Sequence, residues 1–408
     1  MNSRERVLTA LSYEEPDMVP IDFGAMRSTG IMAMAYNGLK AYLGINRGET
    51  RVYDLFQMLA DPELEIIDRM EGDVVQLHRL KPALGIKITA WKEWHLPDGS
   101  LCKVPQDFNP IEYEPGSYEV WDGDLCARMP RGALYFDMVH FPLQHAQSVE
   151  EVQRYLKENP LELIGEEEFT WLQENSLRLY ENTDKAILGA FGGNILEGGQ
   201  FAFGWQKFMT DILANREMIE YFLDRLVENY LENLKRYIRA VQGHVHIIQM
   251  GDDLGTQTGL QISPQLYRQV IKPRQTQLYE YIHRHSQMLV FLHSCGSIYE
   301  IIPDLIEIGV NILNPVQTSA YGMDPVWLKR QFGKYLTFWG GGCDTQSVLP
   351  RARAEEIREH VRERMRIFAP GGGFVFTQIH NIQANVPPEN TLALYEAAKE
   401  FRRYPLQP

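Results

Sequence analysis

The 408-residue chain is 44% apolar and carries 40 Lys plus Arg against 54 Asp plus Glu, a net charge of −14. This length and apolar content allow a large buried core, and the acidic balance argues against a nucleic-acid partner. There is no charge-free run of about 18 apolar residues and no apolar h-region near the N-terminus, and four cysteines are too few for a disulfide framework; the expectation is a cytoplasmic protein with no membrane contact and reduced thiols.

In chain order, a first helix is expected from an Asn2/Ser3 cap to about Ser12, then a strand in 16-PDMVPIDFG-24 and another in 72-GDVVQLH-78. Between residues 84 and 135 the alternation of IKITAWKEWHL, the turn 97-PDG-99 and SLCKVP predict a β-hairpin, followed by irregular aromatic and proline-rich chain. From residue 150 onward, short apolar runs alternate with amphipathic helices. The runs are 186-AILGAFGG-193, 246-HIIQMGDD-253, 288-MLVFLHSCG-296, 311-NILNPVQ-317, 336-LTFWGGGCD-344 and 373-GFVFTQIHNI-382.

Continuous apolar strands suit a parallel sheet covered on both faces. With the two early strands they number about eight, so the fold class expected is α/β, a (β/α)8 TIM barrel. No linker or repeat divides the chain, which reads as one domain over residues 1–408 with an insertion at about 84–135.

In these runs the apolar half comes first and the chemically capable residues follow: Asp252 and Asp253, His293 and Cys295, Asn314 and Gln317, Cys343 and Asp344, His380 and Asn381. A barrel gathers such strand ends on one face, where they can share a pocket. His293 and Cys295 are two apart, so on an extended chain both side chains point the same way. Cys343 falls at the corresponding place two strands later. His293, Cys295 and Cys343 are an N/S2 set that suits a catalytic zinc ion with an open fourth position.

Glu197, bracketed by glycines in 191-FGGNILEGGQF-201, is a candidate fourth ligand or general base, and the same loop reads equally as a plain turn. One of Asp252 and Asp253 faces the pocket, where it orients a ligand or caps a helix. His380 is a candidate acid, and Arg27 a candidate partner for an anionic group. Asn314 and Gln317 are expected to contact substrate. Phe201, Phe203 and Trp205 fit an apolar substrate wall and a buried helix face equally. Cys102 and Cys126 have no ligand-spaced neighbour and read as packing residues.

The segments SRERVLTALSYEEPDMVPIDFG, FLHSCGSIYEIIPDLIEIGVNILNPVQ, FWGGGCDTQSVLP and GGGFVFTQIHNIQANVPPENTLALYEAA resemble the uroporphyrinogen decarboxylase superfamily, which also contains corrinoid-dependent methyltransferases. The resemblance spans essentially the whole chain and implies the same barrel. It departs from true decarboxylases at two places. Where these carry a second N-terminal arginine the chain has Ile31, and where they carry the aspartate that holds the pyrrole N–H groups it has Arg79, which cannot accept a hydrogen bond. The methyltransferase branch resembles His-x-Cys with a distant Cys, matched here by His293, Cys295 and Cys343.

The resemblance thus implies zinc-dependent methyl transfer between a small methylated or methoxylated substrate, or a thiol acceptor, and a corrinoid. No Asp-x-His-x-x-Gly motif occurs in the chain, so a separate corrinoid protein is the expected partner. The alternatives are a decarboxylase or lyase acting on another carboxylated substrate, and a non-catalytic tetrapyrrole-binding barrel.

Overall fold

The computed structural model describes residues 1–406. Seven strands form one parallel sheet in the order of the chain: Val74–Leu77, Ala186–Gly192, Ile247–Gly251, Leu289–His293, Ile312–Asn314, Thr337–Trp339 and Phe374–Val375. Helices return the chain between them, such as Arg216–Val241 and Lys272–His285. The expected apolar runs therefore hold as a TIM-like, curled α/β sheet.

Each strand is buried on both faces, which is why its sequence lacks alternation. Ala186, Leu188, Ile247, Phe291, Ile312, Trp339 and Val375 cluster on the inner face. Their neighbours Ile187, Ile248, Val290, Leu313, Phe338 and Phe374 pack into the layer beneath the helices. The first helix, Ser3–Leu11, adds Val7 and Leu11 to the inner cluster. Its start is fixed as expected, since the Asn2 side chain accepts from the Glu5 N–H while the Glu5 carboxylate accepts from the Asn2 N–H.

The segment 16–24, expected as a strand, forms no ladder. Pro20 lacks an N–H, yet its carbonyl accepts from Phe376, the Asp22 N–H donates to the Phe376 carbonyl, and the Ile21 carbonyl accepts from Asp73. Single bonds therefore tie this segment to both edges of the parallel sheet.

The hairpin is present as Trp91–His95 antiparallel to Leu101–Pro105. It joins Arg51–Asp54 and Leu59–Asp61, which the sequence reading missed, in a four-stranded sheet. The chain beyond it is not irregular. Ile111–Glu114, Ser117–Asp122, Asp124–Met129 and Asp137–Met138 make a second antiparallel sheet, turning at Gly116 and Gly123, both at positive φ. Its first strand is exposed throughout, so it has no apolar alternation to signal it. Among the described residues no helix is long and apolar enough to cross a membrane.

Candidate functional site

His293 ends its strand between Gly251 and Asn314 on the two neighbouring strands. Its Nδ1 lies 2.6 Å from the Asn314 Oδ1. Asn314 is fully buried, and its amide donates to the Trp339 carbonyl, which fixes the oxygen toward His293. The ring proton therefore sits on Nδ1 and leaves the Nε2 lone pair free, the arrangement of a metal-ligating histidine.

Cys295 follows two residues beyond the strand end, and its sulfur lies 3.5 Å from His293 Nε2. The Cys295 N–H donates to Asp253 Oδ1 and the Gly296 N–H to Gln317 Oε1. Gly296 is at φ +86°, and a Cβ there would meet the Gly255 backbone at 2.6 Å, so only glycine allows this close approach. His380 completes the group. One ligand atom each from His293, Cys295 and His380 lie within 4.8 Å of one another.

Burial pushes the His380 imidazole down to about 4, with the neighbouring His293 adding to the effect, so its ring is neutral near pH 7. Burial and the charges of Asp253 and Glu197 hold the Cys295 thiol well above its ordinary range. A bound cation would reverse that preference for the thiol.

Glu197 lies in the first turn of the helix Leu196–Phe203, and Asp252 anchors the start of that helix. The fully buried Asp252 carboxylate accepts from the N–H groups of Ile195, Leu196 and Glu197 and from the Gln275 amide. Burial and the Glu197 charge raise the Asp252 carboxyl to about 7. Glu197 Oε2 accepts from the Asp253 N–H and from Asn194. Its carboxyl is raised by burial and by Asp253.

A cavity of about 380 Å³ brings together Arg27, Glu197, Phe201, Asp253, His293 and His380. A larger one of about 610 Å³ lies around Asp61 and Arg178 and has none of the His–Cys residues in its wall, so the chemistry selects the smaller. The sequence-derived residues divide accordingly. Arg27 lines the cavity in an ion pair with Asp54. Asp252, Asn314 and Gln317 stand behind the wall, where they hold Glu197, His293 and the Cys295 loop.

Phe203 is core and Trp205 is exposed, leaving Phe201 as the wall aromatic. Cys102 is buried and Cys126 half-buried, and both thiols are free. Asn194 and Ser28, which hold Glu197 and Asn314, were not singled out from sequence. The glycines of 191-FGGN-194 were the available signal for the first.

Cys343 lies outside the His293–Cys295–His380 group, fully buried in the apolar core. The turn after Trp339 explains this. Gly340 and Gly341 have positive φ, and the Gly342 N–H donates to the Thr377 carbonyl while the Cys343 carbonyl accepts from Ile379. The segment is bonded alongside residues 377–379, and its thiol packs inward.

The uroporphyrinogen decarboxylase (URO-D) family profile matches residues 192–401. Among solved structures, a methyltransferase from Methanosarcina mazei is similar at a TM-score of 0.59 and 17% identity, covering 98% of this chain and 99% of that one. At that identity the likeness shows the fold alone. A D-psicose 3-epimerase determined with D-fructose reaches a TM-score of 0.31 at 9% identity, covering 60% of this chain and 83% of that one, too low to support an argument. No curated protein matches the chain.

Proposed function

Since the chain belongs to the uroporphyrinogen decarboxylase family, we propose that it is a zinc-dependent methyltransferase passing a methyl group between a small substrate or thiol acceptor and a corrinoid held by a separate protein. The observation that carries this reading is the convergence of His293, Cys295 and His380, the two histidines lining the cavity. Two imidazole nitrogens and a thiolate suit zinc, and a tetrahedral ion held by three such groups keeps one position for substrate. Asn314 supplies the hydrogen bond that a ligating histidine requires on its other nitrogen.

When bound, the metal supplies Lewis acidity to a sulfur or oxygen of the methyl donor or acceptor, and the partner's corrinoid supplies the other terminus of the transfer. The chain's own residues do the rest. Asn314 orients His293, Asp253 holds the Cys295 loop, and Asp252 fixes the helix that presents Glu197. Glu197, buried and raised, can hold or release a proton at its carboxylate beside the reacting group. Uroporphyrinogen is disfavoured as substrate because Arg79, ion-paired with Glu168 in the wall, offers no acceptor to pyrrole N–H groups.

Metal analysis of protein purified without chelator tests the reading. About one zinc per chain is expected, lost on Cys295→Ser or His380→Ala and kept in Cys343→Ala. Zinc-free protein, or loss of zinc from Cys343→Ala with retention in His380→Ala, would overturn the assigned ligand set.

A further inference from the structure

Tyr53 Oη, Gln76 Oε1 and His78 Nδ1 are buried polar atoms without a hydrogen-bond partner, and all three residues line the cavity that holds His293 and His380. Tyr53 is only 3% exposed, and its ring lies on that of His78, with centroids 4.3 Å apart. Buried polar groups are almost always satisfied, and these three have no partner within the protein. Gln76 and His78 also reach the larger cavity around Asp61, but all three share only the cavity of His293 and His380, where a small molecule can supply the missing bonds.

The chemistry of these atoms restricts that ligand. His78 Nε2 faces the Asp61 carboxylate at 3.0 Å. In the neutral ring the proton lies there and Nδ1 is an acceptor. Gln76 presents its amide oxygen, also an acceptor, and the Tyr53 hydroxyl can take either role. Acceptors predominate, so the matching group on a ligand is a hydrogen-bond donor.

Charge leads to the same conclusion. The three cations of the wall are already paired, Arg27 with Asp54, Arg79 with Glu168 and Lys81 with Glu162. Glu197 and Asp253 in the same wall have no lysine or arginine within ion-pair distance among the described residues; His293, 3.6 Å from Asp253, is the nearest basic group. A divalent ion on the Cys295 thiolate brings a charge of +1 against these two carboxylates, so with both ionised the unpaired charge left in the cavity is negative, which opposes a carboxylate or phosphate.

We propose that Tyr53, Gln76 and His78 form a substrate subsite in the cavity that also holds His293 and His380, one that accepts a hydroxyl or amine donor and rejects anions. The inference names the substrate class of the proposed methyltransferase and rests on that reading only for the word substrate. Phe191 and Phe201 supply apolar wall for the remainder of such a molecule.

Ligand-observed NMR titration of the full chain with phenol, aniline and benzoate, before and after chelation, tests the subsite without requiring methyl transfer. Phenol or aniline is expected to bind at least about tenfold more tightly than benzoate, and the stronger of the two identifies the donor as hydroxyl or amine. The preference should fall below about threefold in Tyr53→Phe/Gln76→Leu. Benzoate binding as tightly as either, a preference that survives the double substitution, or no saturation by phenol and aniline at about 20 mM would overturn it. The comparison of probes on the unaltered chain stands even if the variant folds poorly. A zinc-free protein that still prefers donors would defeat the methyltransferase reading alone, and a zinc-binding protein that prefers benzoate would defeat this inference alone.

Discussion

Asn314 shows how much at this site depends on one side chain. Its oxygen accepts from Ser28 and faces His293 Nδ1, and its amide donates to the Trp339 carbonyl. Three groups from different parts of the chain are thus satisfied by one buried residue. Asn314→Leu removes the bond that fixes the His293 tautomer, and metal affinity should fall about 10- to 100-fold in chelator competition. Asn314→Asp keeps the acceptor toward His293 but gives up the donor to Trp339 and should lose less; equal losses would mean that the Trp339 bond or the packing, and not the acceptor alone, is what matters. His293 and Cys295 were legible in sequence because a spacing of two on an extended chain needs no tertiary knowledge. The third member was not. The choice between Cys343 and His380 depends on how Gly340–Gly342 turn the chain, and glycine conformation is set by the bonds to residues 377–379 rather than by composition.

At the scale of elements, the parallel strands were legible because burial on both faces leaves an unbroken apolar run. The pair Arg51–Asp54 and Leu59–Asp61 and the exposed strand Ile111–Glu114 left no such pattern, being short or solvated. The strand Ile247–Gly251 carries a polar element at its base. The His246 N–H donates to the Ile187 carbonyl, its carbonyl accepts from the Leu289 N–H, and its Nδ1 accepts from the Ile187 N–H. Burial, with Arg4 nearby, lowers the imidazole to about 4. The folded state then binds fewer protons than the unfolded one between about pH 6.5 and 4, so this contribution is full above pH 6.5 and is lost as the pH falls through that window. Urea unfolding of the parent chain and His246→Gln should show their stability difference shrinking by about 2–3 kcal/mol from pH 7 to pH 4. A constant difference would mean that His246 titrates alike in both states.

The whole molecule is joined where its ends meet, at the base of the sheet opposite the site. Asp73 precedes the first parallel strand, and its carboxylate takes Arg6 from the N-terminal helix and Arg402 from the C-terminal segment, each at 2.6 Å. It also accepts from the Ile21 N–H. Arg402 donates further to the Val19 carbonyl and to Glu71. Residues 6, 21, 73 and 402 thus meet around one carboxylate, beside the segment that bridges the two sheet edges. Asp73 and Arg402 side chains are only 2% exposed, and breaking a buried pair leaves an uncompensated charge at a cost of several kcal/mol, whereas a solvated pair is nearly neutral. Arg402→Leu leaves Arg6 as the one cation on the buried Asp73 carboxylate and should therefore destabilise the chain by about 1–3 kcal/mol in urea unfolding, while Arg47→Ala, which breaks the exposed pair with Glu65, should leave the midpoint essentially unchanged. In Arg402→Leu/Asp73→Asn the buried carboxylate is gone as well and Arg6 keeps Asp17, so the double substitution should cost less than the sum of the singles. If the double substitution is as costly as the sum of the singles, the arginine acts through its packing against the chain ends and not through Asp73.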